Sequence, residues 1–321
     1  MSWTATATSP VTEGTHYRHE AFFYADRDEF LDVALGFIRD ASDAGQPILV
    51  VLDPEKNSEL RCRLRGGSSP VMFADMCEMG KNPARIIPAW IDFVNTNAGP
   101  GVRARGIGEP IVPGQSPAKL VECQRHEALL NIAIADPTFW LLCPYDTSVL
   151  DPEIIHEARR THSMINEQGC ARGSETFAGA GAFCAPSRDG LPDPPRNTPV
   201  LHFRDGDLSL LRHHVASVAD RAGITPARKE DLVLATNEIT TNSLRHGGGA
   251  GTLRSWTDGG SVVCEVRDDG VITDPLAGRR RPLMSDDGGR GLWLTNQLCD
   301  LVQIRVLDGG NVVRLHVGTV T

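Results

Sequence analysis

The sequence has no apolar run near the roughly 20 residues that a membrane-spanning helix needs, and residues 1–9 have neither the basic patch nor the apolar core of a signal peptide. It also lacks C-x-x-C pairs, because its eight cysteines are scattered without regular spacing. In a long chain such scatter argues against a disulfide framework and against a structural zinc site. We therefore expect a cytoplasmic protein with free thiols and no contact with a membrane.

A basic surface is missing as well. There are 32 Lys and Arg residues against 41 Asp and Glu, which gives a formal net charge of -9. From Leu201 onward 14 Lys and Arg stand against 15 Asp and Glu, so about -8 of this charge falls on the first 200 residues. Nucleic-acid binding depends on a basic surface, and we therefore expect no direct contact with nucleic acid.

The chain of 321 residues, 40% hydrophobic and 23% charged, is long enough for about two domains. A segment rich in Gly, Ser, Ala and Pro at residues 173–198 has the composition of a linker. We place a first domain at residues 15–168, a flexible linker at residues 169–198 and a second domain at residues 199–321.

The two halves show different periodicities. In the first half, strand-length apolar runs near residues 21–24, 48–52, 71–73, 102–107 and 139–143 alternate with longer amphipathic stretches. This alternation predicts a mostly parallel α/β sheet with helices on both faces. In the second half, two helices precede antiparallel strands and a final hairpin at residues 302–317, which predicts an α+β sandwich.

The longer helix of the second half, at about residues 227–245, carries a polar stripe. Glu238, Asn242 and His246 are four residues apart, and because each such step turns about 40° past a full circle, their side chains share one face. Positions opposite the stripe, such as Leu232 and Ile239, are apolar. Taken alone, such a stripe is typical of a solvated helix face.

Two segments further along the chain favour a nucleotide site instead. A predicted strand ends at Asp268, followed two residues later by Gly270, so a carboxylate can face a ligand while the backbone bends away. Gly289, Arg290 and Gly291 stand just before a helix, where N–H groups and the helix dipole favour a phosphate. An amide oxygen near such phosphates suits Mg²⁺, and a carboxylate one turn away can accept a proton from an attacking hydroxyl.

The ordered set Glu238-x3-Asn242, Asp268-x-Gly270 and Gly289-x-Gly291 resembles the N, G1 and G2 boxes of the GHKL ATPases. The resemblance covers roughly residues 198–321 and implies their ATP-binding sandwich, the Bergerat fold. No phospho-accepting helical hairpin precedes these residues, and the segment is only about 120 residues long. It is therefore most similar to the anti-sigma regulatory factors, bacterial serine kinases that bind a sigma factor.

This resemblance implies a role for each box. Asn242 would coordinate Mg²⁺, Asp268 would bind the adenine amine and Glu238 would be the catalytic base. The glycine turn at residues 289–291 would hold the phosphates beneath a flexible lid at residues 272–287. His246 of the polar stripe is added to this set. The predicted ATP-binding residues are therefore Asn242, His246, Asp268, Gly270, Gly289, Arg290 and Gly291.

One position departs from the family pattern, since the G1 box usually continues to a second glycine where this chain has Ile272. Two hypotheses stay open. In the first, the domain binds a sigma factor or phosphorylates a Ser or Thr of an anti-sigma factor antagonist, using ATP and Mg²⁺. In the second, it binds ATP without catalysis and sequesters a partner. A histidine kinase is disfavoured because His213 and His214 lie inside the domain's own first helix. Homodimerisation is implied only by the resemblance.

The first half resembles the MEDS sensory domain, a RecA-like α/β module, over roughly residues 15–165. The motifs are His19-Glu-Ala-Phe-Phe-Tyr24, Gly106-Ile-Gly108-Glu-Pro110 and Glu122-Cys-Gln-Arg-His126-Glu. No P-loop motif occurs, so we expect no P-loop ATPase here. The resemblance implies an unknown small-molecule ligand. In parallel sheets ligands bind beyond the carboxyl ends of the strands, here near residues 53, 106–109 and 144–146.

Two further groups of residues allow more than one interpretation. Glu122 and His126 share a helix face near Cys123, as in a metal or redox sensor, but we favour an ordinary helical ion pair beside a buried thiol. The arginines at 279–281 could contact phosphate or an acidic partner, and a solvated loop explains them nearly as well.

Overall fold

The structure is a computed structural model that describes residues 17–64, 71–99, 102–134, 138–184, 190–282 and 289–319. Its strands form one sheet in each half of the chain. Within these described ranges, no helix combines the length and apolar character needed to cross a membrane.

The first sheet follows the apolar runs of the first half. Its strands are β1 (Arg18–Tyr24), β2 (Ile48–Leu52), β3 (Val71–Asp75), β4 (Ala104–Gly108), β5 (Phe139–Asp146), β6 (Met164–Glu167) and β7 (Cys170–Gly173). They lie in the order β3-β2-β4-β5-β1-β6-β7, and every pair is parallel except β6 with β7. The carboxyl ends of the parallel strands therefore share one edge of the sheet.

Helices cover both faces of this sheet. They are α1 (Arg27–Asp43), α2 (Pro54–Arg63), α3 (Met76–Met79), α4 (Ile86–Asn97), α5 (Pro117–Ala133) and α6 (Pro152–Thr161). Phe30 of α1 belongs to one apolar cluster, and Trp90 of α4 belongs to another that also contains residues of α5 and α6. Helix α2 begins where Asp53 accepts a hydrogen bond from the Lys56 backbone N–H, with Pro54 in its first turn.

The first sheet extends past the domain end predicted at residue 168. Strand β7 pairs antiparallel with β6 over residues 164–173, and a 3-10 helix follows at Gly179–Cys184. Gln168 and Gly169 form the tight turn between the strands, with φ of +51° and +75°. The segment predicted as a flexible linker from residue 169 therefore begins with a strand of the first domain. Residues 185–189 of that segment lie outside the described residues.

The second half forms the α+β sandwich. Its elements are β8 (Val200–Arg204), α7 (Leu208–Ala222), α8 (Pro226–His246), β9 (Ala250–Asp258), β10 (Ser261–Asp268), α9 (Arg290–Leu298), β11 (Leu301–Leu307) and β12 (Gly310–Gly318). The strands are antiparallel in the order β11-β12-β10-β9-β8. Leu211 of α7 and Leu232 of α8 are buried with Val262 and Leu315 of the sheet. The predicted fold class is thus confirmed for both halves.

We expect Gly310→Ala to destabilise the second domain. Gly310 has a φ of +114°, and a Cβ atom there would lie 1.9 Å from the backbone oxygen of Asp268. A strained backbone conformation alone costs about 1–3 kcal/mol, and the steric clash adds to it. The free energy of unfolding, measured with urea, should fall by at least about 2 kcal/mol. Gly309→Ala is the matched control because a Cβ there meets no atom within 4 Å. Equal losses in both variants would contradict this explanation.

Candidate nucleotide-binding site

Helix α8 presents the predicted polar stripe to a cavity of the second domain. Glu238, Asn242 and His246 all line this cavity, whose volume is about 530 Å³. Leu232 and Ala235 are buried on the apolar side of the helix and pack into the core of the domain. Because this packing fixes the rotation of the helix about its axis, the stripe faces the cavity.

Asp268, at the end of β10, is held by three hydrogen-bond donors. The Ser243 hydroxyl donates to Oδ2 at 2.6 Å, while the Gly270 backbone N–H and the Asn311 side-chain amide donate to Oδ1 at 2.9 and 3.1 Å. A carboxylate has about four lone-pair sites, so it can still accept a donor from the cavity. An exocyclic amine such as that of adenine fits this position.

Glycines let the backbone pass close to Asp268. A Cβ atom on Gly247 would lie 2.5 Å from Asp268 Cγ, and one on Gly270 would lie 2.9 Å from Gly247 Cα. These approaches leave no room for a side chain at either position. Gly270 therefore contributes to the site by supporting Asp268 with its N–H group.

The N-terminus of α9 opens onto the same cavity. Gly289 is its N-cap, with a φ of +80°, and lines the cavity together with Arg290 and Gly291. A Cβ atom on Gly291 would lie 3.0 Å from Glu238 Oε2 and 3.1 Å from Asn242 Nδ2. The amides of a first helical turn have no carbonyl partner within their helix. A carboxylate, an amide and a helix N-terminus thus stand side by side.

The cavity gathers seven of the eight predicted site residues in its wall, and the eighth, Gly270, bonds to Asp268. The roles assigned to them stay predictions. Sequence reasoning missed Asn311, whose side-chain oxygen accepts the Ile272 backbone N–H at 3.0 Å while its amide donates to Asp268. Asn311 is the partner of Asp268 in the β10–β12 register. Its role could therefore be predicted from the sequence only if the pairing of these two strands were predicted first.

The described part of the predicted lid, residues 272–282, packs against the first domain. Leu276 is 2% exposed and belongs to an apolar cluster of that domain. Arg279 is buried and contacts Glu122 of α5, whereas Arg281 is exposed and lies 2.8 Å from Asp92 of α4. The interpretation of these arginines as a solvated loop was therefore wrong for Arg279. Residues 283–288 lie outside the described residues.

Glu122 is the centre of a buried ionic cluster between the domains. Its Oε1 lies 2.7 Å from Arg305 Nη1 of β11, and its Oε2 lies 3.4 Å from Arg279 Nη2 and 3.5 Å from Arg125 Nε. Burial lowers the pKa of Arg125 to about 10 and also lowers the pKa of Arg279, while the charge of Glu122 opposes both shifts. On its own helix Glu122 pairs with Arg125 and, among the described residues, not with His126 as expected; its other partners belong to the second domain.

A second contact joins the first domain to the C-terminal end of α9. Arg85, just before α4, donates to the carbonyl oxygens of Asn296, Gln297 and Cys299 at 2.8, 2.7 and 2.9 Å. A cation is favourable at a helix C-terminus because the helix dipole is negative there. The Asn296 side chain also donates to the Gly278 carbonyl at 2.9 Å. The first domain therefore contacts both α9 and the lid segment.

The predicted ligand region of the first domain is a polar edge of its sheet. Lys56 Nζ lies 2.5 Å from Glu109 Oε2 and 3.0 Å from the Tyr24 hydroxyl, which donates to Glu109 Oε1 at 2.8 Å. Burial raises the pKa of Glu109, and the charge of Lys56 opposes this shift. Asp53 follows β2 and Asp146 ends β5, so the predicted positions lie along one edge. The ligand itself stays a prediction.

Comparison with protein families agrees with both halves of the structure. Residues 18–163 match MEDS, described as the MEthanogen/methylotroph, DcmR Sensory domain, and residues 202–317 match the Histidine kinase-like ATPase domain. No curated protein matches the chain. Fold and site thus define a signalling regulator of two domains. The chain contains a MEDS domain followed by a histidine kinase-like ATPase domain, and the ATPase domain implies ATP binding. The resemblances to a MEDS domain and to a histidine kinase-like ATPase domain are confirmed, while the closer resemblance to anti-sigma regulatory factors stays a prediction.

We expect Asp268→Asn to weaken ATP binding by about 10–100-fold, because hydrogen bonds to charged groups contribute about 1.5–3 kcal/mol. Isothermal titration calorimetry of the full chain measures this loss. The wild type should also bind ATP more tightly than inosine triphosphate, which has a carbonyl in place of the adenine amine, and the variant should lose that preference. Asp269→Asn, at the exposed neighbouring position, is the control. Equal affinity of the wild type for both nucleotides would refute this role of Asp268.

We expect Glu122→Gln to destabilise the protein by about 3–5 kcal/mol, the usual result of removing one partner from a buried ionic group. The variant leaves Arg279 and Arg305 buried without the carboxylate that both contact. Denaturant unfolding of the full chain measures this change. Asp92→Asn breaks the exposed pair with Arg281 and should cost less than about 1 kcal/mol. Similar losses in the two variants would show that the buried cluster has no special weight.

Proposed function

We propose that the second domain binds Mg·ATP and transfers the γ-phosphoryl group to a Ser or Thr of a partner protein. The observation that carries this proposal is the close approach of Gly291 to both Glu238 and Asn242, whose side chains would lie 3.0 and 3.1 Å from a Cβ atom at that position. It puts a carboxylate, a metal-binding amide and the phosphate-binding end of α9 within one small volume. By the resemblance to anti-sigma regulatory factors, the partner is a sigma factor, an anti-sigma factor antagonist, or each in turn.

The reaction follows from the chemistry of the lining residues. Asp268 accepts a hydrogen bond from the adenine amine and fixes the base. The first-turn amides of α9 and the guanidinium of Arg290 face the phosphate oxygens. The Asn242 amide oxygen would hold Mg²⁺, which when bound would offset the negative charge of the phosphates. Glu238 accepts the proton of the partner's hydroxyl group. The hydroxyl oxygen then bonds to the γ-phosphorus, while the bond between the γ-phosphorus and the β-phosphate oxygen breaks and ADP leaves.

We further propose that the first domain controls this site through the lid. Ile272 is part of the cavity wall, and four residues later Leu276 is buried in the first domain. Ile272 is held at the cavity wall by Asn311, whose side-chain oxygen accepts the Ile272 backbone N–H at 3.0 Å. Binding of a small molecule to the first domain therefore affects the nucleotide through residues 272–282. Control of transcription then runs through a protein partner, without direct contact with nucleic acid.

A second candidate function keeps the nucleotide and omits the catalysis. In this alternative the domain binds ATP as a structural ligand and sequesters its partner. Two observations favour it: Ile272 stands where the related ATPases usually have glycine, and Leu276 and Arg279 are buried against the first domain. A lid held in this way opposes the movement that repeated turnover requires.

The two candidates differ in what Glu238→Gln does. If Glu238 is the base, we expect phosphoryl transfer to fall by about 100-fold or more, since general bases contribute about 10²–10⁴-fold. ATP affinity should change by less than about threefold, because the variant keeps Asp268 and Asn242. The full chain, radiolabelled ATP and anti-sigma factor antagonists from the source cell provide the assay, and calorimetry gives the ATP affinity.

Glu230→Gln is the control for that experiment, since Glu230 lies on the same helix and is exposed. If the wild type transfers phosphate and Glu238→Gln does so at the same rate, Glu238 is not the base. ATP binding with no transfer by the wild type, together with unchanged partner binding in the variant, would favour the sequestering function. Absence of Mg·ATP binding at millimolar nucleotide would refute both.

A further inference from the structure

Four side chains with metal-binding atoms converge inside the first domain, and none of them lines the nucleotide-binding cavity. They are His19 of β1, Glu127 of α5, Cys143 of β5 and His162 directly after α6. All four are at most 1% exposed. Their ligand atoms, two imidazole nitrogens, one thiol sulfur and one carboxylate oxygen, all lie within 4.8 Å of one another. Neither the sensory ligand nor ATP has been assigned to them.

Hydrogen bonds on the outer side of each imidazole fix which nitrogen carries the proton. His162 Nδ1 lies 2.8 Å from the Ala158 carbonyl oxygen, which can only accept, so Nδ1 is the donor. His19 Nδ1 lies 3.3 Å from the side-chain oxygen of Asn131, whose amide group donates to the Thr161 carbonyl at 2.7 Å. Because Nδ1 is the donor in each ring, the Nε2 atoms face the cluster, and an imidazole in its neutral form directs the lone pair of that nitrogen there. This outer bonding is typical of metal-ligating histidines.

The interior of the cluster has too many acceptors for its hydrogens. His19 Nε2 lies 3.1 Å and His162 Nε2 lies 3.4 Å from the same carboxylate oxygen, Oε2 of Glu127. The thiol of Cys143 supplies one hydrogen for these three acceptors. Within the described part of the chain, His162 Nε2 and Glu127 Oε1 have no hydrogen-bond partner. Buried acceptors that face one another are costly, and a cation among them removes that cost.

The spacing and charge of the donors suit a zinc ion. A tetrahedral site with Zn–N and Zn–O near 2.0 Å and Zn–S near 2.3 Å has ligand-to-ligand distances of about 3.3–3.6 Å. Here Cys143 Sγ lies 3.5 Å from His19 Nε2 and 3.9 Å from Glu127 Oε2. The two imidazole nitrogens lie 3.1 and 3.4 Å from the same carboxylate oxygen, so these four distances are close to the tetrahedral values. A thiolate and a carboxylate together balance the charge of a divalent ion, so the filled site is neutral.

We propose that His19, Glu127, Cys143 and His162 bind one divalent transition-metal ion, with zinc as the best match. On binding, the S–H bond of Cys143 breaks, its proton passes to solvent and the thiolate sulfur bonds to the metal. The ion links β1 and β5, at the centre of the sheet, to α5 and to the end of α6. The four ligands fill a zinc coordination shell, as in structural sites.

The proposal reverses an expectation drawn from the sequence. Scattered cysteines without a C-x-x-C pair argued against a structural zinc site, yet only one cysteine takes part here. The other ligands are spread from residue 19 to residue 162, and they meet because β1 lies beside β5 while α5 and α6 pack together around the sheet. No spacing motif could have revealed the site.

Metal analysis of the 321-residue chain tests the proposal. Protein purified without chelators, then stripped and reloaded with zinc, should hold one zinc ion per chain by mass spectrometry of the metal. Loading should raise the melting midpoint by at least about 5 °C, because the ion binds the folded state. Cobalt in place of zinc should give a thiolate-to-cobalt charge-transfer band and the visible spectrum of a tetrahedral ion.

Cys143→Ser is the decisive variant, and Cys123→Ser is its matched control. Both cysteines are 1% exposed, but Cys123 lies outside the cluster and contacts the Pro110 carbonyl. Cys143→Ser should lose the charge-transfer band. Its affinity for the metal should fall by more than the 10–100-fold that changes outside the coordination shell cost, whereas Cys123→Ser should keep the band and the affinity of the wild type. Circular dichroism establishes that each variant folds, and the cobalt spectrum of the wild type stands independently of them. Less than a tenth of an equivalent of zinc after reloading, or an unchanged cobalt band in Cys143→Ser, would overturn the proposal.

Discussion

The arrangement of the two domains depends on one buried carboxylate, Glu122. Removing guanidinium groups from water is expensive, and a carboxylate within ion-pair distance is the means by which proteins offset that cost. Here arginines from two elements of the second domain meet one acidic residue of the first. Any arrangement that separates the domains must bring those charges back into water, together with Leu276. Residues 272–282, the described part of the segment between the two nucleotide-binding motifs, are therefore held by the first domain.

The nucleotide site shows how backbone geometry and chemistry support each other. Asp268 is useful as an acceptor because its direction is fixed by three donors, and those donors come close only because Gly247 and Gly310 have no side chains. In the same way, Gly291 brings the start of α9 against Glu238 and Asn242. The glycines of these motifs thus allow parts of the backbone to approach closely, in addition to giving the chain conformational freedom. Their spacing in sequence records which parts of the backbone must touch.

Local patterns predicted most of this molecule. Apolar periodicity located the parallel sheet and the sandwich, and four-residue spacing placed Glu238, Asn242 and His246 on one face, because both depend on residues near in sequence. Features that depend on distant contacts were missed. Strand β7 follows a polar turn at residues 168–169 that looked like the start of a linker. Arg279 looked solvated because its partner, Glu122, lies 157 residues away. The contact of Asn311 with Asp268 and the four-residue cluster around Glu127 likewise form only when distant strands and helices pack together.

Helix α5 connects two of these regions in a way that neither explains alone. Glu122 contacts the second domain, and Glu127 lies among imidazoles in the interior of the first. Five residues of α-helix rise about 7.5 Å, and the segment between the two carboxylates contains no glycine or proline that would let it bend. The middle of one straight helix therefore carries both the carboxylate that contacts the lid and the carboxylate buried among the imidazoles. Because the helix between them is rigid, a shift of α5 along its axis moves both carboxylates together.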